Sequence, residues 1–212
     1  MDVAEKLGRA EMSAVVLEKA KAVRTEPGPC PEIVTQRLTL RPHRLSDASA
    51  IAETLSDFKV SRMLSRVPQP YDRQDALDWL VPQTSGILPN WQLAITTGDD
   101  VHIGVVGLEL RHGRWHLGYW LNRLYWDRGY MSEAASGVLD RFFRRMPDTV
   151  VHSGAFADNL GSLNVQTKLG FRITGASDVF NRARNVMVPH IETELAPEDF
   201  RLLAPAPRHD RA

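Results

Sequence analysis

Three strand-like runs follow one another in the middle of the chain, and this arrangement constrains the fold more than any other feature. The runs are WQLAITT (91–97), VHIGVVGLEL (101–110) and RWHLGYWL (114–121). The connections between them, GDD and RHG, are short and have the composition of tight turns. Strands joined by so short a connection run in opposite directions. The sequence therefore predicts an antiparallel meander of three strands.

Helices and further strands are predicted on both sides of this meander. Apolar residues recur at helical spacing after Asp47, after Asp72, over about 129–145 and over 159–169. Further strands are predicted at 33–42, 149–157, 171–179 and 185–195. The resulting order of elements is β, α, α, β, β, β, α, β, α, β, β. It predicts a mixed α/β fold, in which helices flank a mostly antiparallel mixed sheet of about seven strands.

The two ends of the chain differ from this central pattern. Residues 2–23 carry apolar side chains at steps of three and four, which predicts a helix, and TEPGPCPE then predicts a linker. We therefore expect an N-terminal helix and linker at 1–32, one domain at 33–203 and a flexible tail at 204–212. The helix could pack on its own domain or on a second subunit, as in a homodimer. A frayed terminal helix is the alternative.

The composition excludes several classes of protein. Lys+Arg and Asp+Glu both number 26, and this balance gives no support to a general nucleic-acid or membrane-surface role, although it leaves room for a local charged patch. The lone Cys30 excludes an internal disulfide and a cysteine zinc cluster, and it fits a reducing cytoplasm. No apolar stretch is long enough to span a bilayer, and the acidic residues near the N-terminus do not fit a secretory signal. We expect a soluble, cytoplasmic protein.

The segment YWDRGYMSEA (125–134) joins the last strand of the meander to the next predicted helix. A helix N-terminus presents unpaired backbone N–H groups and the positive end of the helix dipole, and both attract anions. Gly129 has no side chain to keep a phosphate from the backbone, and Arg128 supplies a fixed positive charge. These residues alone support two interpretations, a phosphate-binding turn or an ordinary connector.

Three segments together resemble the GNAT family of acetyl-CoA-dependent N-acetyltransferases. They are TQRLTLRP, LGYWLNRLYWDRGYMSEAASGVL and FADNLGSLNVQTKLGF. The resemblance covers about residues 34–200, and it is strongest to the RimJ/RimL-like branch, which acetylates the N-termini of ribosomal proteins. It implies a GNAT-like fold, acetyl-CoA as co-substrate and no metal.

The resemblance also implies which residues contact the co-substrate. The amides of the turn would hold the CoA pyrophosphate, and the expected residues are Trp120, Leu121, Trp126, Asp127, Arg128, Gly129, Tyr130 and Met131. Only Gly129 matches the family's general pattern, because Trp126 replaces Gln or Arg and Met131 replaces Gly or Ala. Asn159 and Ser162 match a second block, which implies contact with the pantetheine arm and a place near the thioester sulfur. Taken alone, Asn159 could be a plain helix N-cap and Ser162 could be solvated.

The implied reaction is attack by a neutral primary amine on the acetyl thioester, helped by a base and by a donor to the departing sulfur. His116 and Glu109 are the candidate bases, since histidine titrates near neutrality and Glu109 is charged within an apolar strand. Either could instead be an ordinary strand residue. Ser162 is the expected donor, and Tyr119 is expected to pack in the core or in the cleft wall.

The acceptor amine is expected opposite the CoA, against the helical segment between residues 46 and 90. The residues within or beside that segment that could contact the amine are Trp79, Trp91, Arg62, Arg66 and Tyr71. Aromatic residues in such positions are more often part of the core. The acceptor could be a protein N-terminus or a small amine. The alternative function is a non-catalytic acyl-CoA-binding or regulatory domain.

Overall fold

The computed structural model describes residues 26–203, which form one eight-stranded sheet with helices packed against it. The strands are β1 (Ile33–Val34), β2 (Thr39–Pro42), β3 (Trp91–Thr96), β4 (His102–Arg111), β5 (Arg114–Leu121), β6 (Val151–Phe156), β7 (Arg172–Asn181) and β8 (Val186–Leu195). The helices are α1 (Ala48–Ser56), α2 (Phe58–Ser61), α3 (Arg73–Thr84), α4 (Tyr130–Phe143) and α5 (Leu160–Leu169). The predicted helix at 2–23 and the predicted tail at 204–212 lie outside the described residues.

The strands are arranged in the order β1-β2-β3-β4-β5-β6-β8-β7. The predicted meander is confirmed, because β4 pairs antiparallel with β3 on one side and with β5 on the other. The pair β5–β6 is parallel, and it forms at only two positions, Trp115 with Val151 and His116 with His152. Beyond these positions the two strands separate. The mixed, mostly antiparallel sheet is as predicted, and its one parallel pair is also where it opens.

The prediction of one strand at 33–42 was wrong. The chain turns back at Thr35, where the backbone N–H donates to Leu38 O (2.9 Å) and the hydroxyl accepts from Leu38 N (3.1 Å). Residues 33–34 and 39–42 therefore pair with each other as two short antiparallel strands. This turn raises the number of strands from the predicted seven to eight.

Two apolar clusters hold the helices on the sheet. The larger lies between α4 and one face of the sheet, where Trp91 and Trp115 both pack edge-on against Phe142. The smaller joins α1 to α3. Successive side chains at the end of β5 point to opposite faces, so that Leu121 belongs to the larger cluster and Trp120 packs against the smaller. Within residues 26–203, no helix is both long and apolar enough to cross a membrane.

The described end of the predicted linker packs on the domain. Gly28 O accepts from Trp91 Nε1 (2.9 Å), and Pro27 O accepts from Arg145 Nη1 (2.8 Å). Cys30 is partly buried beside Gln92, and burial raises the pKa of its thiol to about 11. A thiol with so high a pKa is a poor nucleophile at neutral pH. Residues 26–32 therefore serve as a cover for the edge of the core.

Candidate active site

A cleft with a volume of about 1510 Å³ opens where β5 and β6 separate. Beyond their two paired positions, β5 and β6 make no backbone hydrogen bonds with each other, and side chains bond to the backbone there instead. Ser153 Oγ donates to Leu117 O (3.0 Å), and Gln166 Nε2 donates to Gly154 O (3.2 Å). All the residues predicted to bind CoA or to act in catalysis line this cleft, with the exception of Arg128. The fold thus brings together residues from four separate parts of the sequence.

The turn between β5 and α4 alternates in backbone handedness. Asp127 (φ 58°) and Gly129 (φ 74°) are left-handed, whereas Arg128 between them is not. This alternation directs successive N–H groups into one concavity, which is a common anion site. The first hydrogen bond within α4 runs from Glu133 N to Gly129 O (3.1 Å), so the amides of residues 130–132 have no partner inside the helix. The turn therefore offers converging donors that suit a phosphate.

The side chains of the turn contribute less to this concavity than its backbone. Met131 is only 8% exposed and lies in the larger apolar cluster, so its bulk is directed into the core. Trp126 donates through Nε1 to Leu121 O (2.8 Å), which fastens the turn to the end of β5. The Arg128 side chain is exposed and makes no hydrogen bond or ion pair within residues 26–203. Both replacements therefore have structural contacts of their own, Met131 in the core and Trp126 with the end of β5.

A second arginine, which the sequence did not point to, holds the turn in place. Arg37 donates through Nη1 to Arg128 O (3.0 Å), and its guanidinium lies 4.4 Å from the centre of the Tyr130 ring. Its Nε and backbone N–H both donate to the carboxylate of Glu133 (2.6 and 2.8 Å), which also accepts from Thr35 Oγ1 (2.6 Å). The β1–β2 connection therefore braces the first turn of α4.

Asn159 and Ser162 begin helix α5 at the other wall of the cleft. Asn159 is the N-cap, since its Oδ1 accepts from Ser162 N (3.1 Å). Ser162 Oγ lies 2.9 Å from the hydroxyl of Tyr119 on β5, and 3.2 Å from Gln166 Nε2. Tyr119 was expected to be a packing or wall residue. The structure places it in the wall and links its hydroxyl directly to Ser162, a contact between residues 43 positions apart that no local pattern reveals.

The two candidate bases are neighbours across β4 and β5. Glu109 and His116 are paired in register, and the His116 ring lies 5.5 Å from that of His152. Burial together with the nearby charge of Arg111 lowers the pKa of His116 to about 4, so the imidazole is neutral at pH 7. Burial raises the pKa of Glu109, but hydrogen bonds from Arg66 and Arg111 outweigh it and lower that pKa to about 2. Of the two groups, His116 is the better proton acceptor.

The residues expected on the acceptor side occupy different places. Arg66, Tyr71 and Trp79 line the cleft, and Arg66 Nη2 donates across it to Glu109 Oε2 (2.8 Å). Trp91 was wrongly assigned to this side, because it is fully buried in the larger cluster, where its indole bonds to the 26–32 segment. Arg62 does not line the cleft and instead forms an ion pair with Asp158 (2.7 Å).

A buried polar cluster lies beneath this side. His43, Asp47 and His102 hold their potential ligand atoms within 4.8 Å of one another, as a metal site would. However, both oxygens of Asp47 accept from the Arg41 guanidinium (3.0 and 2.9 Å). A bidentate arginine supplies the positive charge that a metal ion would otherwise bring. We interpret the cluster as a buried ion pair beside two neutral histidines.

The sheet opens beside the parallel pair β5–β6, and a turn rich in N–H donors and the polar N-terminus of α5 face this opening. Together these features define a class of acyl-transfer folds. Residues 37–172 match the family model described as the acetyltransferase (GNAT) domain. This match covers more than half of the chain, and the protein therefore belongs to the GNAT acetyltransferase family. It is an acyltransferase of the N-acetyltransferase type.

Relatives and solved structures agree with this assignment. The chain is 25% identical over 164 residues to the uncharacterized N-acetyltransferase p20 of Bacillus licheniformis, covering 74% of this chain and 90% of p20. Among solved structures, the ribosomal-protein-S5-alanine acetyltransferase of Vibrio fischeri has a TM-score of 0.67 at 19% identity, covering 81% of this chain and 99% of that one. Mycobacterium smegmatis RimJ, solved with CoA-disulfide, has a TM-score of 0.68 at 18% identity, covering 82% and 90%.

Proposed function

We propose that this enzyme transfers the acetyl group of acetyl-CoA to a primary amine by direct attack in a ternary complex. One observation carries the proposal: a continuous cleft joins the amides at Gly129, the hydroxyl of Ser162 and the neutral imidazole of His116. The reaction needs three groups: hydrogen-bond donors that hold the CoA phosphates, a hydrogen-bond donor to the departing sulfur, and a proton acceptor for the amine. All three lie on the walls of the same opening.

In this proposal the backbone of the turn at 126–131 holds the pyrophosphate of CoA. Trp120 and Leu121 flank the entry to the split, and the pantetheine arm lies between β5 and β6, along the strand edges left unpaired. Asn159 uses Oδ1 as the helix cap, which leaves its side-chain NH₂ as a donor toward the arm. The arm then places the thioester beside Ser162.

His116 is the proposed proton acceptor, acting directly or through one water. Its pKa of about 4 keeps the imidazole free of a proton at neutral pH. A group with so low a pKa holds a proton only briefly, so the proton passes on to solvent after the amine attacks. Glu109 is instead a positioning group, since its carboxylate is held by Arg66 and Arg111 (2.8 Å to Arg66 Nη2 and to Arg111 Nε).

The proposed acceptor is the α-amine of a protein or peptide. Two considerations support this choice: the resemblance to RimJ/RimL-like sequences and the structural similarity to the Vibrio fischeri acetyltransferase that acts on a ribosomal-protein alanine. An α-amine also has a pKa near 8, well below that of a lysine, so a useful fraction is neutral at physiological pH. Such an acceptor needs only a weak base, which fits His116.

An acetylation screen tests the proposal. Thiol release from acetyl-CoA is measured with N-terminal peptides, polyamines and aminoglycosides, and each peptide is paired with the same peptide blocked at its α-amine. We expect release with free peptides and none with blocked ones, and His116→Ala should lower kcat by about ten- to hundredfold. CoA binding by calorimetry without release by any amine would favour the non-catalytic alternative. No CoA binding would refute both functions.

A further inference from the structure

Gln166, which no sequence pattern singles out, joins the hydroxyls at the centre of the cleft. This residue lies on α5 and is only 1% exposed. Its Nε2 lies 3.2 Å from Ser162 Oγ, 3.4 Å from Tyr119 Oη and 3.2 Å from Gly154 O. Its Oε1 accepts from Thr193 Oγ1 (2.7 Å). A buried amide with all of its polar atoms engaged is held in one orientation.

The orientation of the amide follows from chemistry. Gly154 O is a carbonyl oxygen and can only accept a hydrogen bond. The atom of Gln166 that lies 3.2 Å from it must therefore be the NH₂ group, and the reversed amide would set two acceptors against each other. One N–H serves Gly154 O, and the other is shared by the oxygens of Ser162 and Tyr119. Both hydroxyl oxygens thus receive a hydrogen bond from Gln166.

With the Gln166 N–H shared between their oxygens, the hydroxyl hydrogens of Ser162 and Tyr119 have two possible arrangements. In one, Ser162 donates to Tyr119 Oη, and Tyr119 donates to Ser162 O (3.2 Å). In the other, Tyr119 donates to Ser162 Oγ, and the hydrogen of Ser162 is free to point into the cleft. Only the second arrangement offers a donor to a ligand. A negatively charged ligand atom beside Ser162 favours the second arrangement, because a hydrogen bond to a charged atom is stronger than one to a neutral oxygen.

We propose that Gln166 and Tyr119 are positioning residues that make Ser162 the hydrogen-bond donor to the departing CoA thiolate. The inference rests on the proposed function. As the tetrahedral intermediate collapses, the C–S bond breaks and its electron pair passes to sulfur. The amine nitrogen, now bonded to the acetyl carbon, gives its surplus proton to His116, and His116 releases that proton to solvent. The amide is then complete. Ser162 stabilises the thiolate, which takes a proton from water once it leaves the cleft.

The pKa of the CoA thiol, measured in the binary complex with CoA, tests this without any acceptor amine. It is followed by the ultraviolet absorbance of the thiolate as the pH is raised, in the wild type and in variants. We expect Ser162→Ala and Gln166→Met each to raise the thiol pKa by about one unit and to lower kcat by about tenfold, with an unchanged KM for acetyl-CoA. A purely structural role for Gln166 would not shift the thiol pKa.

The matched control is Ser153→Ala, which removes the other side-chain bond that replaces strand pairing at the split (Ser153 Oγ to Leu117 O, 3.0 Å). It should leave the thiol pKa as in the wild type. If Gln166→Met does not fold, Thr193→Val releases the opposite end of the amide (2.7 Å) and should give a smaller shift in the same direction.

The outcomes separate this inference from the proposed function. A shift in Ser162→Ala without one in Gln166→Met or Thr193→Val would mean that Ser162 acts unaided, and it would overturn the inference. The expected shifts in an enzyme that no amine stimulates would uphold the positioning and refute the acetyl transfer. Failure of CoA to bind would overturn both.

Discussion

The left-handed backbone at Gly129 (φ 74°) is the residue-level feature on which the turn depends. A side chain there would meet no crowding, because the nearest atom to an added Cβ is Arg37 Nη2 at 3.6 Å. The constraint is therefore conformational, and alanine in this conformation costs about 1 kcal/mol. We expect Gly129→Ala to relax the turn, to misdirect its amides and to raise the Kd for CoA about fivefold. Calorimetry with CoA measures this directly.

Gly86 provides the control for this substitution. It has a similar φ of 70° and no atom within 4 Å of an added Cβ, and it lies in the loop after α3. Gly86→Ala should cost similar stability and leave the Kd for CoA unchanged. An equal loss of CoA affinity in both variants would mean that lowered stability, and not the turn, is responsible.

Single residues also show where the sequence was informative about the site. Gly129 and Asn159 were predictable because each has a local signature, a glycine before a helix and an Asx residue at an N-cap. Arg37 and Gln166 were not predictable. They act through contacts with residues 91 and 47 positions away, to Arg128 and Tyr119, and such distances leave no trace in local spacing. The cost of Met131 could not be judged either, since only the fold shows that its side chain enters the core.

Among the elements, the segment between α2 and α3 and the β7–β8 turn are joined by hydrogen bonds on the side of the cleft where we propose that the acceptor binds. Asn181 is fully buried, and its Nδ2 donates to Arg62 O (2.9 Å) and to Leu64 O (3.3 Å). Its Oδ1 accepts from Arg184 N (2.7 Å). Asn181 thus bonds to both pieces of chain, and Arg182 N and Arg184 Nε add bonds to Ser65 O (3.1 Å) and Arg62 O (2.7 Å) beside it.

We expect Asn181→Ala to raise the KM for the acceptor several-fold and to leave the KM for acetyl-CoA unchanged. Leu64 O loses its Asn181 donor and Arg62 O keeps only the Nε of Arg184 (2.7 Å), and the loss of these bonds from a fully buried side chain also costs about 2 kcal/mol of stability. Steady-state kinetics with each substrate varied in turn, together with thermal unfolding, measure both effects. Asn90→Ala is the control, since Asn90 Oδ1 ties a different loop to Leu110 N (3.0 Å). Equal changes in the two KM values would contradict a role confined to the acceptor wall.

The predictability of the elements followed the range of the interactions that form them. The meander at 91–121 was predicted because its strands and tight turns are adjacent in sequence. The hairpin at 33–42 was missed, because the hydrogen bonds of Thr35 create a turn without glycine or asparagine. The split between β5 and β6 was also not predictable, since 29 residues, including a helix, separate the ends of these strands, Leu121 and Val151.

On the scale of the whole molecule, we expect buried and partly buried histidines to set the response of stability to acid. Burial lowers the pKa values of His43, His102, His116 and His190, to about 4 for His102 and His116. Both ring nitrogens of His43 and of His102 are buried without a hydrogen-bond partner within residues 26–203. In the unfolded chain each would titrate near 6.5. The unfolded state therefore binds more protons below that pH, and the fold loses stability as the pH falls from about 6.5 to about 4.

Carboxylates contribute in a different, more acidic window. Hydrogen bonds from Arg41 and Arg184 hold the pKa values of Asp100 and Asp158 below the usual range. Their contribution is present above a pH of about 4 and is lost only below it. Loss of stability between pH 6.5 and 4 thus reports on the histidines, and further loss at lower pH reports on the arginine–carboxylate pairs.

The double variant His43→Leu/His102→Leu should separate the two windows. We expect its free energy of unfolding, measured by urea titration at several pH values, to vary less between pH 6.5 and 4 than that of the wild type. The difference should be on the order of 2–3 kcal/mol, because both imidazoles no longer need to stay neutral in a buried place. His112→Asn, at an exposed turn position with φ 48°, is the control and should follow the wild-type curve. Parallel curves for the double variant and the wild type would show that His43 and His102 take up protons without unfolding the domain. The acid sensitivity would then belong to His116 and His190, which both line the cleft.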